Sequence, residues 1–236
     1  MSNKEQIQKL RDYAELAWAS YGYFHLADKD YKPEGWWNKD RERLEQFAKQ
    51  YNNPKTTEVE LESIRPTYID ILNIEYNSFF DGDFSPLQAK RFFDKYDLLD
   101  FYPKFDTKNN KQQKGFHACL FQEKETKEYT LAIRGTEFKL EQIKDLINDY
   151  YIGTNSSDMN RVIEQYFDML LFYEETLKPL LQEKGITKIN ITGHSLGGYL
   201  AQRALIYCDS LYKDKLKFSP SEVYTFNASL ESRSVA

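Results

Sequence analysis

The sequence predicts an α/β protein with a mainly helical N-terminal region in front of it. Three observations carry this. From about residue 113 onward, strand-like runs alternate with runs of helical period, the pattern of a sheet flanked by helices. Within that half, the strand-like run Lys188 to Thr192 passes through Gly193-His194-Ser195-Leu196-Gly197 directly into a helical run. Ahead of it, apolar residues recur chiefly at helical spacing. The expected division is therefore residues 1–112 and residues 113–236.

Taken in order, residues 4–21 form an amphipathic helix with Ile7, Leu10, Ala14, Ala17, Trp18 and Tyr21 on one face. Gly22, Pro33 and Gly35 make residues 22–38 a loop, and its Trp36-Trp37 pair is expected to pack over the helices. Residues 39–51 give a second helix, facing inward through Leu44, Phe47, Ala48 and Tyr51 and stopped by Asn52-Asn53-Pro54. A short helix enters after Pro66, aligns Ile69, Leu72 and Tyr76, and ends at Asp81-Gly82-Asp83. Ser85-Pro86 reads as an N-cap followed by proline at the first helical position, opening a helix over about 86–96. Asp81, Asp83, Asp94, Asp97 and Asp100 lack calcium-loop spacing and are read as a solvated loop. The polar stretch 103–114 is irregular and marks the boundary.

Beyond it, Gly115 to Gln122 and Glu128 to Arg134 read as a hairpin turning at Lys124 to Lys127. Helices follow over 139–151 and 160–183, the second with a stripe running from Val162 to Leu177 and a stop at Gly185. In the strand Lys188 to Thr192, Ile189 and Ile191 alternate with polar residues. Gly197, Ala201, Ala204, Leu205 and Cys208 then recur on one helical face, and a last strand covers 222–227.

Composition bounds the function. Hydrophobic residues at 41% and charged residues at 29% describe a globular chain. The net charge is −5 and lysines and arginines are scattered, so no nucleic-acid footprint is present. Neither a P-loop, a dinucleotide glycine fingerprint nor a metal motif occurs, so no cofactor is expected. The N-terminus has no apolar core of a signal peptide, and no apolar run is long enough to span a bilayer. Cys119 and Cys208 lie in apolar periodic stretches and are read as reduced core residues, which points to a cytoplasmic protein.

The chemistry concentrates at the pentapeptide. In a strand–turn–helix, Gly-x-Ser-x-Gly lifts a serine onto a sharp turn at a helix N-terminus, and the glycines let strand and helix approach closely. Ser195 is the candidate nucleophile, with its Oγ expected to face open space. The backbone N–H of Leu196, at the positive end of the helix, is a candidate oxyanion donor.

Gly193-His194-Ser195-Leu196-Gly197-Gly198 resembles the nucleophile elbow of the class 3 lipases, a branch of the α/β-hydrolases. Tyr129 to Glu137, with Arg134-Gly135-Thr136, resembles that family's strand and oxyanion loop, and Val223 to Ala228 resembles the strand after the nucleophile helix. The resemblance implies an α/β-hydrolase-like core and acyl transfer through Ser195. It implies an oxyanion hole from Thr136 and Leu196, and an aspartate bracing it at Asp149, with Asp145 as the alternative. The implied partner is a lipid or ester substrate, with transient contact at a membrane surface. A lipase or phospholipase A1 is the expected activity. The family places its triad aspartate and histidine after the elbow, whereas the three histidines here are His25, His117 and His194, and only Asp209 and Asp214 follow as aspartates. His194 adjoins Ser195 in the turn and is expected to point elsewhere rather than serve as the base, His117 reads as structural, and nothing in the sequence ties His25 to the site. Ser229 to Ala236 has neither apolar period nor turn chemistry, and the core is expected to be incomplete at its C-terminus. The competing readings are an inactive hydrolase fragment and a non-enzymatic interaction module.

Overall fold

The computed structural model describes residues 1–33, 39–50, 64–102, 105–106, 111–112, 116–135, 157–210 and 219–228. Packing groups them into two compact units. One comprises Met1–Ser20, Leu98–Pro103 and Lys114–Ala236, and the other Tyr21–Asp97 and Lys104–Gln113. Helix α1 (Asn3–Ala19) thus belongs with the sheet, although it precedes the helical region in the chain.

The second unit is built from α2 (Lys39–Gln50), α3 (Tyr68–Leu72), α4 (Asn77–Phe80) and α5 (Pro86–Lys95). Each start has a local cause. Thr67 and Asp70 form a capping box at α3, and Ser85 Oγ accepts the Gln88 N–H at 3.2 Å ahead of Pro86. Asp81, at φ +55°, ends α4. The unit's core is aromatic: Phe24, Phe47, Phe80 and Phe84 are fully buried, and Phe47 meets Phe80 and Tyr76 at ring distances of 5.2 and 5.3 Å.

One polar cluster joins these pieces. Asp40, at the start of α2, accepts from Tyr31 Oη at 2.8 Å and Arg43 at 3.2 Å and lies 3.1 Å from His25 Nε2. Burial alone would raise its pKa, but these hydrogen bonds and the nearby positive charge outweigh it and hold the carboxyl below its ordinary value. A depressed folded pKa contributes stability above the unfolded value that is lost as pH falls through the folded one. Asp40→Ala removes an acceptor that three partners share. It should cost about 2 kcal/mol in urea unfolding at neutral pH, with the difference from wild type shrinking in acid.

The sheet unit holds five strands in the order β1-β4-β5-β6-β7: β1 (Tyr96–Tyr102), β4 (Ala118–Glu123), β5 (Tyr129–Ile133), β6 (Lys188–His194) and β7 (Ser219–Phe226). The predicted hairpin is present, with β4 antiparallel to β5 through Ala118↔Ile133. Strands β5, β6 and β7 run parallel, so helical crossovers join them. The result is a mixed sheet with helices on both faces. On one face Leu131, Ile133, Ile189 and Ile191 pack against α6 (Ser157–Phe172), α7 (Lys178–Glu183) and α8 (Leu196–Ser210), through Met169, Leu181, Leu200 and Ala204. On the other face, Thr130, Asn190 and Thr192 lie toward α1, and Thr192 Oγ1 donates to the Tyr13 carbonyl at 3.1 Å. No helix among the described residues is long and apolar enough to cross a membrane.

Four expectations are corrected. Helix α1 buries Tyr13, Leu16, Ala17 and Ala19, while Ile7, Leu10 and Trp18 of the predicted face are exposed. Both stripes have helical period, and the buried one is the stripe whose tyrosine ring stacks on Tyr224 of β7. Asp97 and Asp100 lie in β1 rather than a loop, and Asp94 pairs with Lys90 inside α5. As the first strand in the sheet order β1 is an edge, where charged side chains are tolerated and block further pairing. Within the polar stretch, β2 (Phe105–Asp106) pairs antiparallel with β3 (Lys111–Gln112). The single helix over 160–183 is interrupted by a π turn at Tyr173–Leu177. Pro179 cannot donate to the carbonyl of Glu175, and the wider turn before it accommodates its ring. Gly185, at φ +66°, ends that run as expected.

The Trp36-Trp37 pair, Tyr51, the helix over 139–151 and the tail from Ser229 lie outside the described residues. Cys119 is a buried free thiol, its pKa pushed up by desolvation.

Candidate active site

The strand–turn–helix around Ser195 is present. β6 ends at His194, Ser195 turns at φ +55°, and α8 starts at Leu196. A left-handed conformation costs a non-glycine residue about 1–2 kcal/mol and persists where its surroundings fix it. Here the Ser195 N–H donates to the Phe226 carbonyl of β7 at 2.9 Å, while the Ser195 carbonyl accepts from Gly198 and Tyr199 at 3.0 and 3.2 Å.

The two glycines of the motif are required by contact. A Cβ on Gly193 would meet the Gly197 carbonyl oxygen and come within 2.8 Å of Gly198 N. A Cβ on Gly197 would meet the Ile133 carbonyl oxygen and come within 2.7 Å of the Arg134 carbonyl carbon. The end of β5 therefore abuts the first turn of α8, which puts the segment Arg134-Gly135 beside the elbow.

This arrangement sorts the donors around the serine. The Ser195 N–H is taken by Phe226, and the Gly198 and Tyr199 N–H groups turn back onto Ser195. Leu196 and Gly197 are the first residues of α8, whose N–H groups have no carbonyl within the helix to meet. Leu196 is buried, so its N–H acts in a low-dielectric setting. Ser195 is 6% exposed, and the sequence expectation of an open serine is corrected: the elbow is enclosed. Thr136, Asp149 and Asp145 lie outside the described residues.

The histidines separate. His25 belongs to the other unit, against Asp40. His117 and His194 are in the unit of Ser195. The His117 carbonyl accepts the Arg134 N–H at 3.0 Å, and Arg134 and His194 stand one residue beyond the paired Ile133 and Gly193. His117, Arg134 and His194 therefore form a row at the carboxyl ends of β5 and β6, the sheet end where α/β proteins bind ligands. Register is not visible along one strand, so this row cannot be read from the sequence. Half-burial lowers the His194 pKa, favouring the neutral ring.

Asn227 follows β7 at φ +51° and is exposed. Asparagine tolerates that conformation better than branched residues. Asn227→Val should cost about 1 kcal/mol in thermal unfolding and Asn227→Gly should cost nothing.

Comparison with known proteins bears on this geometry. Residues 130–229 match the lipase (class 3) family. Among solved structures, the lipase of Rhizopus microsporus var. chinensis is similar at 14% identity and a TM-score of 0.47, covering 96% of this chain and 59% of its own. The Lip2 lipase of Yarrowia lipolytica is similar at 17% identity and a TM-score of 0.45, covering 94% of this chain and 60% of its own. The chain thus spans about three fifths of the length of these lipases. No curated protein matches it significantly. The segment that builds β5, the elbow and β7 is thus similar to the class 3 lipase family.

Proposed function

We propose that this protein is a carboxylic ester hydrolase of lipase or phospholipase A1 type, with Ser195 as nucleophile. The observation that carries the reading is the strained Ser195 backbone at the head of α8, locked by the Phe226 carbonyl. Attack of Oγ on an ester carbonyl builds negative charge on the carbonyl oxygen, and the Leu196 N–H is one donor for it. Thr136, next to Arg134-Gly135, is the second donor in this reading, with Asp149 or Asp145 bracing it. The substrate is an acyl ester of a glyceride, a phospholipid or a small alcohol, met at a membrane or droplet surface.

As Oγ attacks, its proton must go to a base. His117 and His194 are the histidines of the same unit, and either is the candidate base in this reading. The enclosed serine, 6% exposed, favours a second reading, a folded scaffold whose serine is not activated.

Hydrolysis of p-nitrophenyl esters of short and long acyl chains, of triglyceride emulsions and of phosphatidylcholine vesicles tests the proposal. Hydrolysis that is lost in Ser195→Ala is expected, and its further loss in His117→Ala or His194→Ala identifies the base. A folded protein that cleaves none of these esters overturns the reading in favour of the inert scaffold.

A further inference from the structure

Ser195 owes its conformation to β7, because its N–H is held by the Phe226 carbonyl. That bond requires β6 and β7 to keep one register up to their ends. Yet their pairing is irregular lower down, with a shift between Ile189 and Ile191, so the ladder below does not carry the register upward unbroken. Above the shift, Thr192 pairs with Tyr224. This is where α1 grips the sheet. Thr192 is fully buried three residues before Ser195, and its hydroxyl bonds the Tyr13 carbonyl at 3.1 Å. The Tyr13 ring stacks on Tyr224, with centroids 4.0 Å apart and planes 10° from parallel. One turn earlier, Lys9 pairs with Glu222 at 2.5 Å. Mere cover for a sheet face asks only for apolar packing. Here a single tyrosine touches β6 through its carbonyl and β7 through its ring.

We propose that α1 positions the nucleophile, with Tyr13 acting through Thr192 and Tyr224 to fix the register of β6 against β7 and thereby the backbone of Ser195. Tyr13 and Thr192 are positioning residues, and neither is placed against the substrate. The proposal rests on the reading of Ser195 as nucleophile, and its test has one readout that does not.

The test uses the full chain with Thr192→Val, Thr192→Ser and Tyr13→Leu, at a temperature where circular dichroism shows each folded. The readouts are the second-order rate of labelling by a fluorophosphonate and the solvent exchange of the Ser195 amide. Thr192→Val and Tyr13→Leu are expected to slow labelling about tenfold or more, since small displacements of a reacting group cost that much. They are also expected to speed exchange of the Ser195 amide, while Thr192→Ser restores both. Tyr224→Leu, at a partly exposed position, replaces Thr192→Val if that variant does not fold. Wild-type labelling rates and unchanged Ser195 protection in folded variants that only melt earlier would overturn the proposal. If the wild type is not labelled, the functional reading fails. Amide exchange then decides alone, and unchanged protection overturns the brace.

Discussion

Ser195→Ala is expected to lower ester hydrolysis and fluorophosphonate labelling by at least about a thousandfold while leaving the fold intact, because the proposed covalent step runs through the Ser195 Oγ. The companion variant separates chemistry from stability. Ser195 sits at φ +55°, where an L side chain is strained. Ser195→Gly should therefore be equally unreactive yet unfold later, with a gain of about 1 kcal/mol in thermal or urea unfolding. A residue that lowers stability where it stands and gives reactivity in return is the pattern of a strained functional position. An ordinary βα turn with a serine cap would show the opposite sign, since removal of a cap destabilises.

Gly197→Val is expected to be the most damaging single substitution in the sheet unit, at about 3 kcal/mol or more. Its Cβ would fall on the carbonyl of Ile133, backbone in the middle of the sheet and packed on both faces. No flexible side chain is there to give way, so either α8 lifts off the sheet or β5 shifts. Gly197→Ala meets the same obstacle with less bulk and should lose less. Both should lower labelling beyond what stability explains, since the Leu196 N–H moves with the first turn of α8. Urea unfolding measures the first effect, and labelling rate per folded molecule the second.

How much of this was legible in the sequence follows from the range of the interactions. The elbow is local: strand, turn and helix are consecutive, and the glycine spacing announces the close approach before any fold is known. The hairpin of β4 and β5 and the start of α5 at Ser85-Pro86 are local in the same sense. The inward face of α1 was legible only at Ala17, because the stripe of Ile7, Leu10 and Trp18 and that of Tyr13 and Leu16 have equal claims by period. The choice is made by contacts far along the chain, such as the Tyr13 ring on Tyr224 of β7. β1 was hidden because Tyr96 to Tyr102 does not alternate and carries two aspartates, as an edge strand can. In the site, Ser195, Leu196, Gly193 and Gly197 were readable as one motif. The Phe226 carbonyl that locks the serine, and the row of His117, Arg134 and His194, depend on strand register, which sequence does not display.

The central claim is that Ser195 is an activated nucleophile in this chain. Its most direct measurement is the mass of the protein after reaction with a fluorophosphonate, followed by proteolytic mapping of the adduct, with circular dichroism on the same sample. The expected result is one adduct per molecule on Ser195, absent from Ser195→Ala. A folded protein that gains no mass, or gains it on another residue, would contradict the claim.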